Sequence, residues 1–366
     1  MHASASASGI EGPTYTRVFA NGADGYPNVR IPALLTTAAG TLLAFAEGRR
    51  ELGDHSQNQI ICKRSADGGA SWGPMEVVAS DGENTLTDAS VVVDRRTGRI
   101  VLHHTWFANG YHTDKAVPGY DDPHAMRNYV ITSDDDGVTW SERLDVTRAV
   151  KEPDVIVSVV TCGVGIQLRR GKHKDRLVHA VYNSRPELVP ASYVVFSDDG
   201  GATWPRGEVA SYEGEDRTGE PQVVVLADGS VMMNARTKSK RRRVGVSADG
   251  GATFGRLAHD DTLIDPGCMG SILRYSDPLD GQESRILFCN AATGGDERFN
   301  GMVRLSYDEG KTWPVGKVIY AGPFAYSCIA VLPDGRIGVL YEQDEYEEIV
   351  LARFSLGWVT EGEDLG

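Results

Sequence analysis

Three arginines, four carboxylates and one tyrosine stand at the ends of predicted strands, or in the loops that follow them, along this chain of 366 residues. They are Arg30, Asp54, Asp88, Glu220, Arg236, Arg298, Tyr326 and Glu342. Guanidinium groups bind carboxylates through charge-assisted, often bidentate hydrogen bonds. A phenol, whose ordinary pKa is about 10, becomes a nucleophile beside a base, and a further carboxylate can act as general acid and base. Together these residue types could bind an anion and carry out covalent catalysis on it.

The elements that would position these side chains are marked by an eight-residue motif, which we call the Asp-box. Ser-x-Asp-x-Gly-x-x-Trp spans residues 65–72, 133–140, 197–204 and 306–313, and a variant at 247–254 ends in Phe254. The spacing is typical of one four-stranded unit in a propeller-like array. Ser and Asp can bond backbone groups across a tight turn, Gly supplies a positive φ, and the aromatic residue packs between sheets. We interpret the Asp-box as structural.

The strand pattern around the Asp-boxes predicts one all-β domain, a six-bladed β-propeller with four-stranded antiparallel blades. Five units each contain four predicted strands, whereas the sixth unit has three. The third unit is predicted to begin at Gly163. Because a closed ring of sheets leaves no open edge, we expect the N-terminal strand, residues 15–19, to close the last blade. The propeller is predicted to span residues 14–357, between a disordered leader or expression remnant at 1–13 and a tail at 358–366.

This topology sorts the loops by face. In an up-and-down blade the Asp-box turns lie on one face, while the starts of first strands and the ends of second strands lie on the other. All eight residues named above fall on that second face, so we expect them to converge at the mouth of the central channel. Each also has a structural interpretation: a strand-end arginine is usually a solvated cap, a loop aspartate a turn residue, and Tyr326 could be a packed aromatic.

The overall charge bounds the choice of partner. The formal net charge is -14 and the sequence pI is about 5.1, which argues against nucleic acid because its phosphates would be repelled. An anionic ligand would need a local cluster of arginines to overcome this field. We interpret the basic run at 238–243 as the solvated edge of a hairpin.

The cysteines and the apolar runs say little about the compartment. Five cysteines, an odd number without a CxxC spacing, lie mostly in apolar strand-like runs and are expected to be buried free thiols. No apolar run approaches the length of a membrane span. The start of the chain, residues 1–8, lacks the apolar core of a signal peptide, so the sequence itself leaves the compartment unknown.

The motifs together resemble those of the sialidases of the Asp-box superfamily, bacterial type. The resemblance rests on Arg-Ile-Pro at 30–32, the five Asp-boxes, Glu-Pro-Gln at 220–222, Arg298 ahead of the fifth box, Ala-Tyr-Ser at 325–327 and Tyr-Glu at 341–342. It covers residues 15–356, nearly the whole chain. Asp-boxes also occur in propellers that only bind, but their combination with Arg-Ile-Pro, the tyrosine, the glutamate and three arginines is specific.

The resemblance implies an exo-α-sialidase that works with retention of configuration and needs neither cofactor nor metal. Arg30, Arg236 and Arg298 would hold the carboxylate of a sialic acid, with Glu342 pairing Arg30. Because a carboxylate nucleophile would be repelled by that substrate carboxylate, sialidases use a tyrosine, here Tyr326.

The remaining residues complete the implied site and its setting. Glu220 would be the base, Asp54 the general acid and base, and Asp88 and Arg49 would lie around the sugar's hydroxyl and amide substituents. The implied partners are sialylated glycans or related acidic sugars. The protein is expected to be a monomer that is secreted or extracytoplasmic.

Several residues near these motifs compete for the same roles. Arg304 is a rival of Arg298, although its place inside a strand predicts that it faces a neighbouring sheet. The pair His103-His104 could suggest a metal site, but adjacent strand residues point to opposite faces. For Arg49 we favour a structural role, and His55, beside Asp54, is expected to be a polar loop residue.

Other functions stay open at this point. The loop 50–58 helps to select the sugar's substituents, which leaves room for a related acid such as KDN or Kdo. A propeller that binds acidic glycans without cleaving them is a second possibility. Transfer to a sugar acceptor is a third and would need an aromatic platform, for which Trp106 and Phe107 are candidates, although we expect both to pack in the core.

Overall fold

The computed structural model describes residues 10–111, 113, 115–185, 190–214 and 217–366. Within these ranges the chain is all-β: its helices are two single turns, α1 (Thr147–Val150) and α2 (Leu356–Val359), and one 3-10 turn, Pro278–Asp280. The prediction of an all-β fold is therefore confirmed. The leader predicted at 1–13 lies mostly outside the described residues.

Consecutive strands pair with one another into antiparallel sheets. After β1 (Thr14–Ala20), the first sheet contains β2 (Asn28–Thr36), β3 (Leu42–Arg49), β4 (Gln59–Ser65) and β5 (Glu76–Ala79). The second contains β6 (Thr85–Val93), β7 (Ile100–Phe107), β8 (Arg127–Ser133) and the short β9 (Leu144–Asp145). β3 is buried at every position, because both of its faces pack against neighbouring elements.

The third sheet is less regular than predicted. It contains β10 (Val157–Val160), β12 (Ile166–Gln167), β13 (Leu177–Ser184) and β14 (Ala191–Ser197), while β11 (Gly163–Val164) pairs in parallel with β6 of the second sheet. Its first strand therefore begins at Val157 and is interrupted, so the predicted start at Gly163 is wrong. Gly163 has φ 105°, a conformation that glycine allows, and there the chain leaves one sheet for its neighbour.

The last strands form two further sheets. One contains β15 (Gly219–Val225), β16 (Val231–Arg236), β17 (Arg241–Ser247) and β18 (Ala258–Ile264). The other has seven strands: β19 (Ser271–Ser276), β20 (Arg285–Ala291), β21 (Phe299–Ser306), β22 (Val315–Val331), β23 (Ile337–Gln343), β24 (Glu348–Phe354) and β1. The 17-residue β22 pairs with β21 through its first half and with β23 through its second half, so it joins two four-stranded units.

The first and the last described strands pair with each other in that sheet. β1 pairs antiparallel with β24, with Tyr15 opposite Ala352 and Phe19 opposite Ile349. The phenol of Tyr15 also donates to the carbonyl of Ile319, 2.8 Å away. The predicted pairing of the N-terminal strand with the last unit is therefore confirmed.

Each Asp-box closes its turn with the same hydrogen bonds. In the third box the amide of Gly201 donates to Ser197 Oγ (2.8 Å), and Asp199 accepts from Ser197 Oγ (2.7 Å) and from the amide and hydroxyl of Thr203 (2.9 and 2.6 Å). Trp204 is almost fully buried between sheets. Equivalent bonds occur in the other four boxes, so the motif fastens the third strand of each unit to the turn that follows it.

The core lies between adjacent sheets. One buried cluster, for example, combines Leu43 and Phe45 of the first sheet with Val91 and Leu102 of the second. All five cysteines are buried free thiols, as predicted: Cys62, Cys162, Cys268, Cys289 and Cys328.

Removing the carboxylate of one Asp-box should destabilise the fold. Asp199→Ala deletes three accepted hydrogen bonds, two of which are exposed to solvent. Because water can replace the exposed bonds, they contribute less than the usual ~1 kcal/mol each, and we expect the unfolding free energy to fall by about 1 to 2 kcal/mol in urea denaturation. Asp261→Ala is the control, because it removes only one exposed partner of Arg241. Equal stability of the two variants would contradict the structural role of the motif.

Candidate active site

Four strands whose residues line a common cavity break their register at comparable places. The breaks lie between Arg30 and Ala33 in β2, Thr87 and Ser90 in β6, Gly219 and Gln222 in β15, and Phe324 and Ser327 in β22. Three residues within them have positive φ: Ile31 (62°), Asp88 (58°) and Glu220 (37°). Bulges re-aim side chains, and positive φ is uncommon outside glycine. Each of the four bulges contains or adjoins one predicted site residue: Arg30, Asp88, Glu220 and Tyr326.

Glu342, at the end of β23, holds the first of these residues in place. It is fully buried and accepts hydrogen bonds from Arg30 Nε (2.6 Å) and Nη2 (3.1 Å) and from the backbone amides of Ile31 (2.8 Å) and Tyr326 (3.1 Å). The carboxylate thereby fixes the plane of the guanidinium and ties the bulges of β2 and β22 together. No described residue bonds to Nη1 of Arg30, so that nitrogen is free for a ligand.

Tyr326 forms a closed set of hydrogen bonds with Glu220 and Arg236. Its phenol donates to Glu220 Oε1 and accepts from Arg236 Nη1 at 3.1 Å, and the same Nη1 donates to Glu220 Oε2. Burial and then the charge of Glu220 raise the pKa of Tyr326 well above its ordinary value. Burial opposes ionisation of Glu220, but Arg236 and the phenol outweigh it and lower the pKa of that carboxyl. A neutral phenol thus faces an ionised carboxylate.

The three predicted arginines surround this tyrosine. The guanidinium carbons of Arg30 and Arg298 lie 5.6 and 5.5 Å from the centre of the Tyr326 ring, and Arg236 contacts its phenol. Arg298, just before β21, donates weakly to the carbonyl of Gly267 at 3.4 Å and to the phenol of Tyr346 at 3.3 Å. Three separate parts of the chain thus bring three positive charges to one place.

Asp54 lies in the loop between β3 and β4, on an exposed part of the same region. Its side chain is 61% exposed and accepts from Arg49 Nη1 at 3.0 Å. Burial raises the pKa of Asp54, but the charge and hydrogen bond of Arg49 outweigh that effect and the pKa is lowered. Without a ligand Asp54 is therefore a carboxylate.

Arg49 is hydrogen-bonded to other groups of the protein. It is almost fully buried, and its donors are directed to Glu47, to Asp54 and to the carbonyl of Leu52. This arrangement places Arg49 behind Asp54 and fits the structural role that the sequence favoured.

Sequence reasoning missed Glu47, which joins the first two sheets. This buried carboxylate accepts from Arg49 Nε (2.8 Å), Asn58 Nδ2 (3.0 Å), Thr87 Oγ1 (2.6 Å) and the amide of Asp88 (2.8 Å). A signal was present, since Glu47 and Arg49 are two apart in one strand and must share a face.

Asp88 differs from the other acidic residues of the site. Burial, then Glu47 and Glu220, raise its pKa well above the ordinary value of an aspartate. Loss of solvation and, after it, the neighbouring negative charges disfavour the ionised form of Asp88. A protonated Asp88 can donate a hydrogen bond to a ligand, which an ionised carboxylate cannot do.

The alternative residues lie elsewhere or are buried. Arg304 stands opposite Phe288 and Gly316 within its sheet, and burial, opposed by the charge of Asp260, lowers its pKa. Trp106 and Phe107 are both buried, as core packing predicts. The three histidines considered from the sequence contact other aromatic rings. His55 packs edge-on against Phe107, His103 lies near His179 and Trp204, and His104 lies near Tyr129.

The arrangement can bind an anion and perform nucleophilic and acid–base chemistry. Three guanidiniums face a phenol that is hydrogen-bonded to a base, and a separate carboxylate stands at the exposed side. In the part of the chain that the structure describes, no three His, Cys, Asp or Glu residues are grouped so as to hold a metal ion. Nor is any helix there long and apolar enough to cross a membrane.

Comparison with known proteins places the chain among its relatives. A family model described as a BNR repeat-like domain matches residues 40–339. A sialidase of Micromonospora viridifaciens is 38% identical over 95% of this chain and 55% of the relative. An exo-alpha-sialidase of Aspergillus fumigatus is 30% identical over 92% of this chain and 86% of the relative. The solved structure of the Hadza microbial sialidase Hz136 has a TM-score of 0.83, with 28% identity over 92% of this chain and 68% of that one. The chain spans little more than half the length of the Micromonospora relative.

Loss of Glu342 should be costly, because it leaves Arg30 buried without its counter-charge. We expect Glu342→Ala to lower the unfolding free energy by about 3 to 5 kcal/mol in urea denaturation. Glu348→Ala is the matched control: it breaks the exposed pair with Arg17 and should cost less than ~1 kcal/mol. If both variants lose the same small amount, Glu342 does not anchor the site.

Proposed function

The chain belongs to the BNR-repeat sialidases, and on that premise we propose that it is an exo-α-sialidase that hydrolyses terminal sialic acid from glycans with retention of configuration. The observation that carries the proposal is the hydrogen bond between the phenol of Tyr326 and the ionised Glu220, within a ring of three guanidiniums. A protein that only bound an acidic sugar would have no use for a base aimed at a phenol.

We propose a six-bladed β-propeller as the scaffold, with β1 closing the last blade. Support comes from a cavity of about 540 Å³ whose lining draws on the first strands of six successive units of the chain. One residue from each is Leu34, Val92, Ile166, Val224, Ile272 and Ile329. The pairing of β1 with β24 and the division of β22 between two units also support this count.

The proposed binding step places the substrate carboxylate among Arg30, Arg236 and Arg298. Charge-assisted hydrogen bonds from guanidiniums are stronger than neutral ones, and Arg30 is already held in its plane by Glu342. The carboxylate would partly neutralise three clustered cations, which supports tight binding in a protein with a net charge of -14.

In the first chemical step Tyr326 Oη attacks the anomeric carbon while Glu220 takes the phenolic proton. Arg236, 3.1 Å from that oxygen, stabilises the negative charge that develops on it. The bond to the leaving oxygen breaks as Asp54 donates a proton to it. The product is a sugar joined covalently to Tyr326.

In the second step Asp54, now a carboxylate, takes a proton from a water molecule that attacks the same carbon. The bond to Tyr326 breaks, and Glu220 returns the proton to the phenolate. Two displacements at one carbon restore the original configuration, which is the basis of the predicted retention.

The role of Asp54 as an acid requires that the substrate change its pKa. In the ligand-free protein Arg49 holds that pKa low. A bound carboxylate adds negative charge nearby, which raises the pKa of an adjacent carboxyl. The substrate itself would thus help to load the proton that the first step consumes.

The proposal is tested with aryl α-glycosides of N-acetylneuraminic acid, KDN and Kdo, with the product anomer followed by proton NMR. We expect release of N-acetylneuraminic acid as the α-anomer first. Faster release of KDN or Kdo would leave the proposed mechanism intact and would assign a different sugar acid as the substrate. Binding without release of any of the three would make the protein a glycan-binding module.

Single substitutions test the roles proposed for the catalytic and binding residues. Tyr326→Phe and Asp54→Ala should each lower kcat/KM on an alkyl α-sialoside by roughly 10²- to 10⁴-fold. Arg298→Gln should raise KM strongly, while Arg304→Gln, outside the site, should leave both constants near the wild-type values. Unchanged turnover by both Tyr326→Phe and Asp54→Ala would refute the proposed roles.

A further inference from the structure

The loop between β23 and β24 contains an unusual run of backbone conformations. Asp344, Glu345 and Tyr346 follow one another with φ values of 52°, 56° and 74°. Non-glycine residues adopt this left-handed region rarely and usually singly, because the Cβ atom approaches the neighbouring carbonyl. Three in succession are strained, and such conformations persist where the surrounding structure enforces them, often at functional sites.

Contacts from distant parts of the chain enforce this loop. The carbonyl of Tyr346 accepts from Asn21 Nδ2 at 3.0 Å, and the amide of Asn21 donates to the carbonyl of Glu347 at 2.9 Å. The amide of Asp344 donates to the carbonyl of Pro323 at 3.1 Å, and its side chain accepts from the phenol of Tyr320. The loop is therefore fixed from two sides, although neither side requires an aromatic residue at its tip.

The aromatic residue at the tip reaches two of the three clustered arginines. The guanidinium carbon of Arg30 lies 3.9 Å from the centre of the Tyr346 ring, close enough for a cation–π contact. The phenol oxygen of Tyr346 accepts from Arg298 Nη1 at 3.3 Å. Arg298 has one other hydrogen bond to a described residue, the weak contact with the carbonyl of Gly267 at 3.4 Å.

These contacts complete the restraint of Arg30. Glu342 holds the guanidinium by Nε and Nη2, and Tyr346 covers its face, so Nη1 is left for a ligand. For Arg298 no carboxylate lies within ion-pair distance among the described residues, and the phenol of Tyr346 takes the place of one. The tyrosine offers an electron-rich face and an acceptor oxygen, yet adds no negative charge that would repel an anion.

We propose that Tyr346 is a positioning residue for the carboxylate-binding arginines, fixing Arg30 by stacking and Arg298 by its phenol. The inference rests on the proposed function, since it assumes that these arginines bind the substrate carboxylate. It explains why the loop keeps three left-handed residues: they turn the tyrosine back over the site. Since the carboxylate stays bound through the reaction, Tyr346 should contribute equally to binding the substrate and the transition state, and its loss should appear in KM.

The test compares Tyr346→Leu, Tyr346→Phe and wild type, with Glu345→Gln as the control. Glu345 is exposed and adjacent in the same loop. For Tyr346→Leu we expect KM for an aryl α-sialoside to rise roughly ten-fold with kcat within about two-fold of wild type. Tyr346→Phe keeps the stacking and should raise KM only about two- to three-fold. Glu345→Gln should match wild type, and thermal unfolding should show that all variants are folded.

A second readout separates positioning from general loosening of the site. The affinities of didehydro N-acetylneuraminic acid and of its methyl ester are measured by calorimetry. Tyr346→Leu should weaken the acid roughly ten-fold and leave the uncharged ester within about two-fold of its wild-type affinity. Equal weakening of both ligands, or an unchanged affinity for the acid, would overturn the inference. If the wild-type protein itself bound neither ligand and cleaved no sialoside, the proposed function would fail instead.

Discussion

Three guanidinium groups gathered around one tyrosine repel one another, and the site exists because buried carboxylates compensate them. Glu342 faces Arg30 and Glu220 faces Arg236, each through short side-chain contacts. Removing either acid would leave a cation in a poorly solvated place, which costs far more than the loss of a surface pair. Arg298 has a phenol where the others have a carboxylate. The site is therefore neutralised enough to fold, while a positive excess remains for an anionic ligand.

Two buried carboxylates, Glu342 and Glu47, also connect the strands. Glu342 binds backbone amides in two separate bulges, at Ile31 and Tyr326, and Glu47 does so at Asp88. Bulges lower the regularity of a strand, so each of these amides would lack a partner in the ladder. Charged acceptors supply those partners. Charge balance and backbone satisfaction are thus met by the same side chains, which couples the stability of the central strands to the geometry of the site.

Much of the fold could be predicted from the sequence because the Asp-boxes recur with their complete hydrogen-bonding sets. Ser197, Asp199 and Gly201 bond as their types predict, and the unpaired N-terminal strand had one open edge to fill. The interruption at Gly163 could not be foreseen, since one glycine in an apolar run is compatible with an unbroken strand. The bulge at Ile31 was equally hidden, because a β-branched residue is disfavoured at φ 62°.

The candidate site was predictable in part for a similar reason. The residues that surround Tyr326 stand at strand ends that the topology brings to one face, so their convergence follows from the repeat. Tyr346 could not be found in this way, because its loop lacks the glycine or asparagine that usually marks a left-handed turn. Glu47 was recognisable only by its spacing from Arg49.

The central claim is that the phenol of Tyr326 attacks the anomeric carbon of a carboxylate-bearing sugar. The most direct measurement is intact-mass and peptide-mapping mass spectrometry after incubation with a fluorinated sialosyl fluoride, whose ring fluorine slows release of the covalent intermediate. We expect one sugar per chain, attached to the peptide that contains Tyr326 and absent from the Tyr326→Phe variant. A sugar attached to Glu220 or Asp54, or turnover without any adduct, would contradict the account.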